Sequence, residues 1–160
     1  MSSNQNLKRE PKPIEERIAT SIVTLRNKKK KGISAVIVTA YTYPEALLAD
    51  QAGVDIILVG DSLGMTTQGY KSTIAVTMDD MISHCRGVWR ANQKSFQIGD
   101  MPFMSYQESS KLAIRNAGRF LKEGGCDAVK IEGAMIDRVK AIVDSGIIVM
   151  SHLGLTPQSR

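Results

Sequence analysis

The 160-residue sequence predicts an α/β protein whose parallel sheet is covered by helices, and three observations carry that reading. Beyond residue 34 five short β-branched runs recur, each almost continuously apolar, which is the pattern of strands covered on both faces. Amphipathic stretches at helical spacing separate them. Glycine follows three of these stretches, at Gly53, Gly124-Gly125 and Gly146, where a left-handed residue ends a helix most readily.

Taken in order, residues 1–13 are polar, carry Pro11 and Pro13, and read as a disordered tail. Residues 14–34 read as an N-terminal helix, with Ile18, Ile22 and Leu25 on one side, followed by a basic linker. The expected strands are Ala35–Tyr41, Asp55–Asp61, Ser95–Asp100, Ala128–Glu132 and Ile147–His152. The first connecting helix has Pro44 in its first turn, where proline is tolerated. In the second, Thr77 can cap and Met81, Cys85, Val88 and Trp89 form one apolar face. The third is expected to start at a Ser105/Glu108 capping box and to bury Ala113, Ala117, Phe120 and Leu121. The fourth places Met135, Val139, Ile142 and Val143 on one side.

Composition narrows the function classes. At 42% hydrophobic and 23% charged the chain has the make-up of a globular domain. It shows no apolar stretch of membrane-spanning length and no secretory h-region, so a cytoplasmic protein is expected. Cys85 and Cys126 have no metal-ligand spacing and read as buried thiols. The net charge of +5 is entirely N-terminal: residues 1–34 hold nine Lys/Arg against three Asp/Glu, and the remainder twelve against thirteen. Lys28 to Lys31 sit where a helix C-terminus favours cations, so the run reads as a solvated feature and not as a nucleic-acid surface.

Two architectures accommodate an N-terminal helix plus β-α-β-α-β-α-β-α-β: an open doubly wound sheet, or the first five strands of a (β/α)₈ barrel. Both place the ligand site at the carboxyl ends of the strands. There the sequence has Asp61-Ser62, Asp100, Lys130, Glu132 and His152, and Lys130 and Glu132, two apart on a pleated strand, share a side. Such a rim is costly unless a cation or an anionic ligand compensates it. Carboxylate oxygens without a cysteine pair select a hard cation, Mg²⁺, able to hold a 2-oxo acid and stabilise its enolate, with Lys130 neutralising substrate charge. A rival reading takes Gly60-Asp61-Ser62-Leu63 as an esterase nucleophile motif with Ser62 attacking, but no Asp-x-x-His accompanies it: Asp80 and His84 are four apart. His84 reads as a residue on a helical face.

The segments Val59-Gly60-Asp61-Ser62-Leu63-Gly64-Met65, Gly99-Asp100-Met101-Pro102-Phe103-Met104-Ser105-Tyr106, Val129-Lys130-Ile131-Glu132-Gly133 and His152-Leu153-Gly154-Leu155-Thr156-Pro157-Gln158-Ser159, with Thr39-Ala40-Tyr41 before them, resemble ketopantoate hydroxymethyltransferases. The likeness runs from about Thr20 to Arg160 and resembles the N-terminal part of that family only. It departs from the family at Thr42, Ala75, Ala134 and Ser151, none of which is a matched ligand.

The resemblance implies a (β/α)₈ TIM barrel of the phosphoenolpyruvate-binding type, truncated here, so that residues 35–160 would be an incomplete barrel domain. It implies a homo-oligomer, commonly a decamer, acting in pantothenate and coenzyme A biosynthesis. The implied reaction transfers a hydroxymethyl group from 5,10-methylenetetrahydrofolate to 3-methyl-2-oxobutanoate, giving 2-dehydropantoate. By position, Asp61, Asp100 and Glu132 match the Mg²⁺ ligands, Asp61, Ser62, Asp100 and Lys130 match the oxo-acid site, and His152 matches a supporting active-site histidine. The family's catalytic base matches no residue of this chain, so the polypeptide is expected to be inactive alone. The alternative expectation is a non-enzymatic fragment or binding module that needs a complementing chain.

Overall fold

The computed structural model describes residues 14–159; the tail expected over residues 1–13 lies outside them. The elements in order are α1 (Ile22–Lys30), β1 (Ile37–Thr39), α2 (Tyr43–Ala52), β2 (Ile56–Val59), a short α3 (Leu63–Thr66), α4 (Met78–Ala91), β3 (Phe96–Asp100), α5 (Ser110–Lys122), β4 (Ala128–Glu132), α6 (Ile136–Asp144) and β5 (Ile148–His152). A 3₁₀ turn at Pro157–Ser159 follows β5. No helix among the described residues is long and apolar enough to cross a membrane.

All five strands are parallel and their spatial order is β1-β2-β3-β4-β5, so every strand pairs with its sequence neighbour. A doubly wound sheet reverses its order at a switch point; a barrel wall does not. The open-sheet alternative is therefore excluded, and the five strands have the winding of consecutive strands of a (β/α)₈ barrel.

Alternation along the strands makes two layers. Ile57, Val59, Val129 and Ile131 face the helices and join Met81, Cys85, Val88, Ala113, Ala117, Phe120 and Ile142 in the larger core. Ile56, Phe96, Ile98 and Ala128 point the other way and form a smaller cluster, against which Leu25 of α1 packs. Gly99 is required by this packing, because a Cβ there would lie 2.3 Å from the Phe120 ring. Emptying the Phe120 site by Phe120→Ala would cost about 3–5 kcal/mol.

Local chemistry sets the helix ends, and three expectations need correction. Helix α1 starts late, because Ser21 and Thr24 cap reciprocally (Thr24 N–H to Ser21 Oγ 3.3 Å, Ser21 N–H to Thr24 Oγ1 2.8 Å). Ile18 therefore lies outside the helix, 85% exposed. Helix α5 is capped by Ser109, whose Oγ accepts from Leu112 N–H at 3.2 Å, and not by Ser105. The Ser105 carbonyl instead accepts from Asn116 Nδ2 at 2.7 Å, so tertiary structure claims that serine for the preceding loop. Met81, Cys85 and Val88 are buried as expected, but Trp89 is 55% exposed. Its ring lies across Gly125, where a Cβ would come within 2.4 Å of it. Cys85 and Cys126 are buried free thiols.

Candidate active site

Five of the sequence-predicted residues come together at the carboxyl ends of β2, β3, β4 and β5. Asp100 is the last residue of β3, Glu132 the last of β4 and His152 the last of β5; Asp61 follows β2 by two residues. Asp61, Asp100 and Glu132 are all buried. Parallel register places Lys130 opposite Asp100 and His152 opposite Glu132. The Lys130 ammonium donates to Asp100 Oδ2 at 2.6 Å, and both side chains are largely out of water. His152 Nδ1 stands 3.6 Å from Glu132 Oε1, near the carboxylate but beyond a hydrogen bond.

Electrostatics mark Asp100 as the most frustrated member. Its carboxyl is pushed up to about 7, chiefly by burial, with the Lys130 ammonium opposing that rise and the Asp61 charge adding to it. Its second oxygen, Oδ1, is buried without a hydrogen-bond partner. A buried carboxylate oxygen left unpaired calls for a partner, and at this rim of carboxylates a bound ion or a ligand's hydrogen-bond donor would supply one.

The neighbouring side chains include several that pattern and spacing did not assign. Gln158, buried in the turn after β5, donates from Nε2 to Asp61 Oδ2 (2.8 Å) and to the Met101 carbonyl (2.9 Å). Its backbone N–H donates to Glu132 Oε2 at 3.2 Å. Tyr106 donates to Gln158 Oε1 at 2.7 Å and accepts from Glu132 N–H at 3.0 Å; burial raises its phenol, so it stays a donor. Arg138 of α6 holds the loop that carries Tyr106 by donating to the carbonyls of Tyr106 (3.2 Å) and Gln107 (3.1 Å). Gln158 and Tyr106 lie inside the segments that carry the family resemblance, which was the available signal.

Ser62 is half-buried and its Oγ meets Tyr41 Oη at 2.8 Å. His84 Nδ1 is engaged 2.7 Å from the Tyr41 carbonyl. Ser62 is thus partnered by a phenol and His84 by a backbone oxygen, an arrangement without the serine–histidine pair that an esterase needs.

The donor set can be tested against a metal. Among the described residues no three His, Cys, Asp or Glu side chains are gathered as a ready cage. Mg²⁺ does not require one, since it is commonly held by one or two carboxylates with waters and substrate oxygens. Adjacent Asp61 and Asp100, with an unpaired oxygen on Asp100, fit that demand.

The family model for ketopantoate hydroxymethyltransferase matches residues 19–160. The chain belongs to the ketopantoate hydroxymethyltransferase family. It is 55% identical over 146 residues to the 3-methyl-2-oxobutanoate hydroxymethyltransferase of Moorella thermoacetica, covering 90% of this chain and 54% of that protein. The chain thus spans about half the length of the curated relatives it matches. Among solved structures it is similar to 2,3-dimethylmalate lyase, a PEP mutase/isocitrate lyase superfamily member (TM-score 0.63, 18% identity, 83% of this chain and 52% of that one). It is also similar to a phosphonopyruvate hydrolase complexed with oxalate and Mg²⁺ (TM-score 0.66, 14% identity, 81% and 50%). At these identities the structures establish the fold alone, and their coverage fits half of a barrel.

Proposed function

We propose that this chain carries the metal and oxo-acid half-site of a hydroxymethyltransferase that converts 3-methyl-2-oxobutanoate to 2-dehydropantoate, with 5,10-methylenetetrahydrofolate as donor. The observation that carries it is the buried Asp100–Lys130 pair beside Asp61 and Glu132, with Asp100 Oδ1 unpaired. Overall, the substrate exchanges one C–H bond for a C–C bond to the methylene carbon of the donor; water supplies the new hydroxyl, and tetrahydrofolate leaves. Asp61 and Asp100 would hold Mg²⁺, with Glu132 bound directly or through water. The chemistry such an ion supplies is polarisation of the 2-oxo acid and stabilisation of its enolate. The Lys130 ammonium offsets the substrate's negative charge, and Ser62, held by Tyr41, offers a hydroxyl to it. His152 stands at the rim beside Glu132 as a supporting group. Proton abstraction is assigned to none of these residues. The same reading takes the working enzyme to be a homo-oligomer in the cytoplasm.

The test is calorimetric titration of 3-methyl-2-oxobutanoate into the chain with and without Mg²⁺. Binding is expected only with Mg²⁺, and Asp61→Ala and Asp100→Ala should each weaken it by at least about 100-fold. Undiminished binding in both variants overturns the site.

A further inference from the structure

The three rim carboxylates share one pattern. Asp61 has Oδ2 engaged by Gln158 Nε2, Glu132 has Oε2 engaged by Gln158 N–H, and Asp100 has Oδ2 engaged by Lys130. One oxygen of each carboxylate is held by the protein, and its twin accepts no hydrogen bond among the described residues. Gln158 supplies the tether in two of the three cases.

The orientation of the Gln158 amide is fixed by chemistry. Both partners of Nε2, a carboxylate and the Met101 carbonyl, can only accept, so the NH₂ end must face them. Oε1 then faces the Tyr106 hydroxyl, which donates to it and receives Glu132 N–H on its own oxygen. Both ends of the Gln158 amide and the Tyr106 hydroxyl are thus partnered, and a buried network satisfied at these groups holds a geometry firmly. It links β2, β3 and β4 through one residue of the turn after β5.

From this arrangement we infer that Gln158 is a positioning residue that makes the site select Mg²⁺ over Ca²⁺. The inference rests on the proposed metal half-site. A carboxylate with one oxygen tied to an amide is presented through a single oxygen. Monodentate oxygens suit the near-octahedral shell of Mg²⁺, with distances of about 2.0–2.1 Å, whereas Ca²⁺ takes roughly 6–8 oxygens and readily uses both oxygens of one carboxylate. Releasing Asp61 Oδ2 frees that carboxylate to chelate and removes the constraint that disfavours the larger ion.

The experiment is calorimetric titration of the full chain with MgCl₂ and, separately, CaCl₂, for the wild type, Gln158→Leu and Tyr106→Phe. Gln158→Leu keeps the volume and removes the tether to Asp61. It is expected to weaken Mg²⁺ about 10-fold, the usual loss when a residue supporting a ligand is removed. Ca²⁺ affinity should hold or rise, so that the Mg²⁺/Ca²⁺ affinity ratio falls at least about 10-fold. Tyr106→Phe loosens the far end of the amide and should move the ratio in the same direction by a smaller factor. An unchanged ratio in Gln158→Leu, including a parallel loss of both ions, overturns the inference and leaves the metal half-site standing. If Gln158→Leu fails to fold by circular dichroism, an unchanged ratio in Tyr106→Phe overturns it equally. A wild type that binds neither ion overturns the metal half-site and the inference together.

Discussion

Two buried aspartates sit at opposite ends of the same strands and are treated in opposite ways. At the N-terminal ends, Asp50 is wholly buried and accepts hydrogen bonds from Gln93 N–H, Lys94 N–H, Ser95 N–H and Ser95 Oγ, with Arg17 close by. At the C-terminal ends, Asp100 is equally buried but has Lys130 on one oxygen and nothing on the other. Burial alone therefore does not mark a functional carboxylate. The saturated one ties α2 and the α4–β3 connection together; the unsaturated one has an oxygen free, which under the proposed function is kept for a ligand. Barrel folds divide their labour along the same axis, with stability at the N-terminal face and chemistry at the C-terminal face.

Breaking each carboxylate separately gives the largest expected effects. Asp50→Ala leaves the Gln93 and Lys94 N–H groups without their acceptor and Arg17 without its buried carboxylate, and should cost about 3–5 kcal/mol, read as a fall in the urea midpoint. Replacing the Asp100–Lys130 pair together, Asp100→Asn with Lys130→Met, should instead leave stability unchanged or raise it by about 1–4 kcal/mol, while the proposed Mg²⁺-dependent oxo-acid binding is lost. Equal destabilisation by the two changes would erase the distinction between the ends.

A second pair of interactions sharpens it at intermediate size. Arg138 braces the loop after β3 at the C-terminal rim of the sheet through the Tyr106 and Gln107 carbonyls. Arg138→Ala removes charge-assisted hydrogen bonds and should cost about 2 kcal/mol. The loss should be local: amide hydrogen exchange is expected to accelerate over residues 104–109 and to stay unchanged in β2 and β3. Uniform acceleration across the domain would mean that the brace belongs to the core and not to the rim.

Strand position and pleat were enough to place Asp61, Asp100, Lys130, Glu132 and His152 at one rim, because strand ends and period-two alternation are local properties. The strands β3, β4 and β5 lie within one residue of their expected bounds. The first strand is shorter than its apolar run, Ile37–Thr39 within Ala35–Tyr41, and its side chains stay exposed. Gln158 was legible only as part of a family segment: its contact with Asp61 crosses 97 residues, and no periodicity reports a contact at that separation. The choice between Ser105 and Ser109 as cap was equally hidden, since both are competent and the Asn116 side chain decides it. Winding, too, was undetermined by pattern; consecutive pairing of all five strands settled it.

The basic run offers the smallest effect and a check on the N-terminal side of the comparison. Lys28 is not equivalent to its neighbours: its ammonium meets Asp55 Oδ1 at 2.6 Å, and the same carboxylate accepts from Val36 N–H at 2.8 Å. Asp55 precedes β2, so this pair belongs to the structural end of the sheet. Lys29, Lys30 and Lys31 are exposed at the C-terminus of α1, where they complement the helix dipole. Lys28→Gln should therefore cost about 0.5–1 kcal/mol, the range for a partly exposed ion pair. The triple change of Lys29, Lys30 and Lys31 to Gln should stay within roughly 0.5 kcal/mol, as surface substitutions do. Neither set should alter oxo-acid binding at the opposite rim. A loss of binding from either would mean that the charge at the foot of the sheet reaches the site, and that the two ends are not separate.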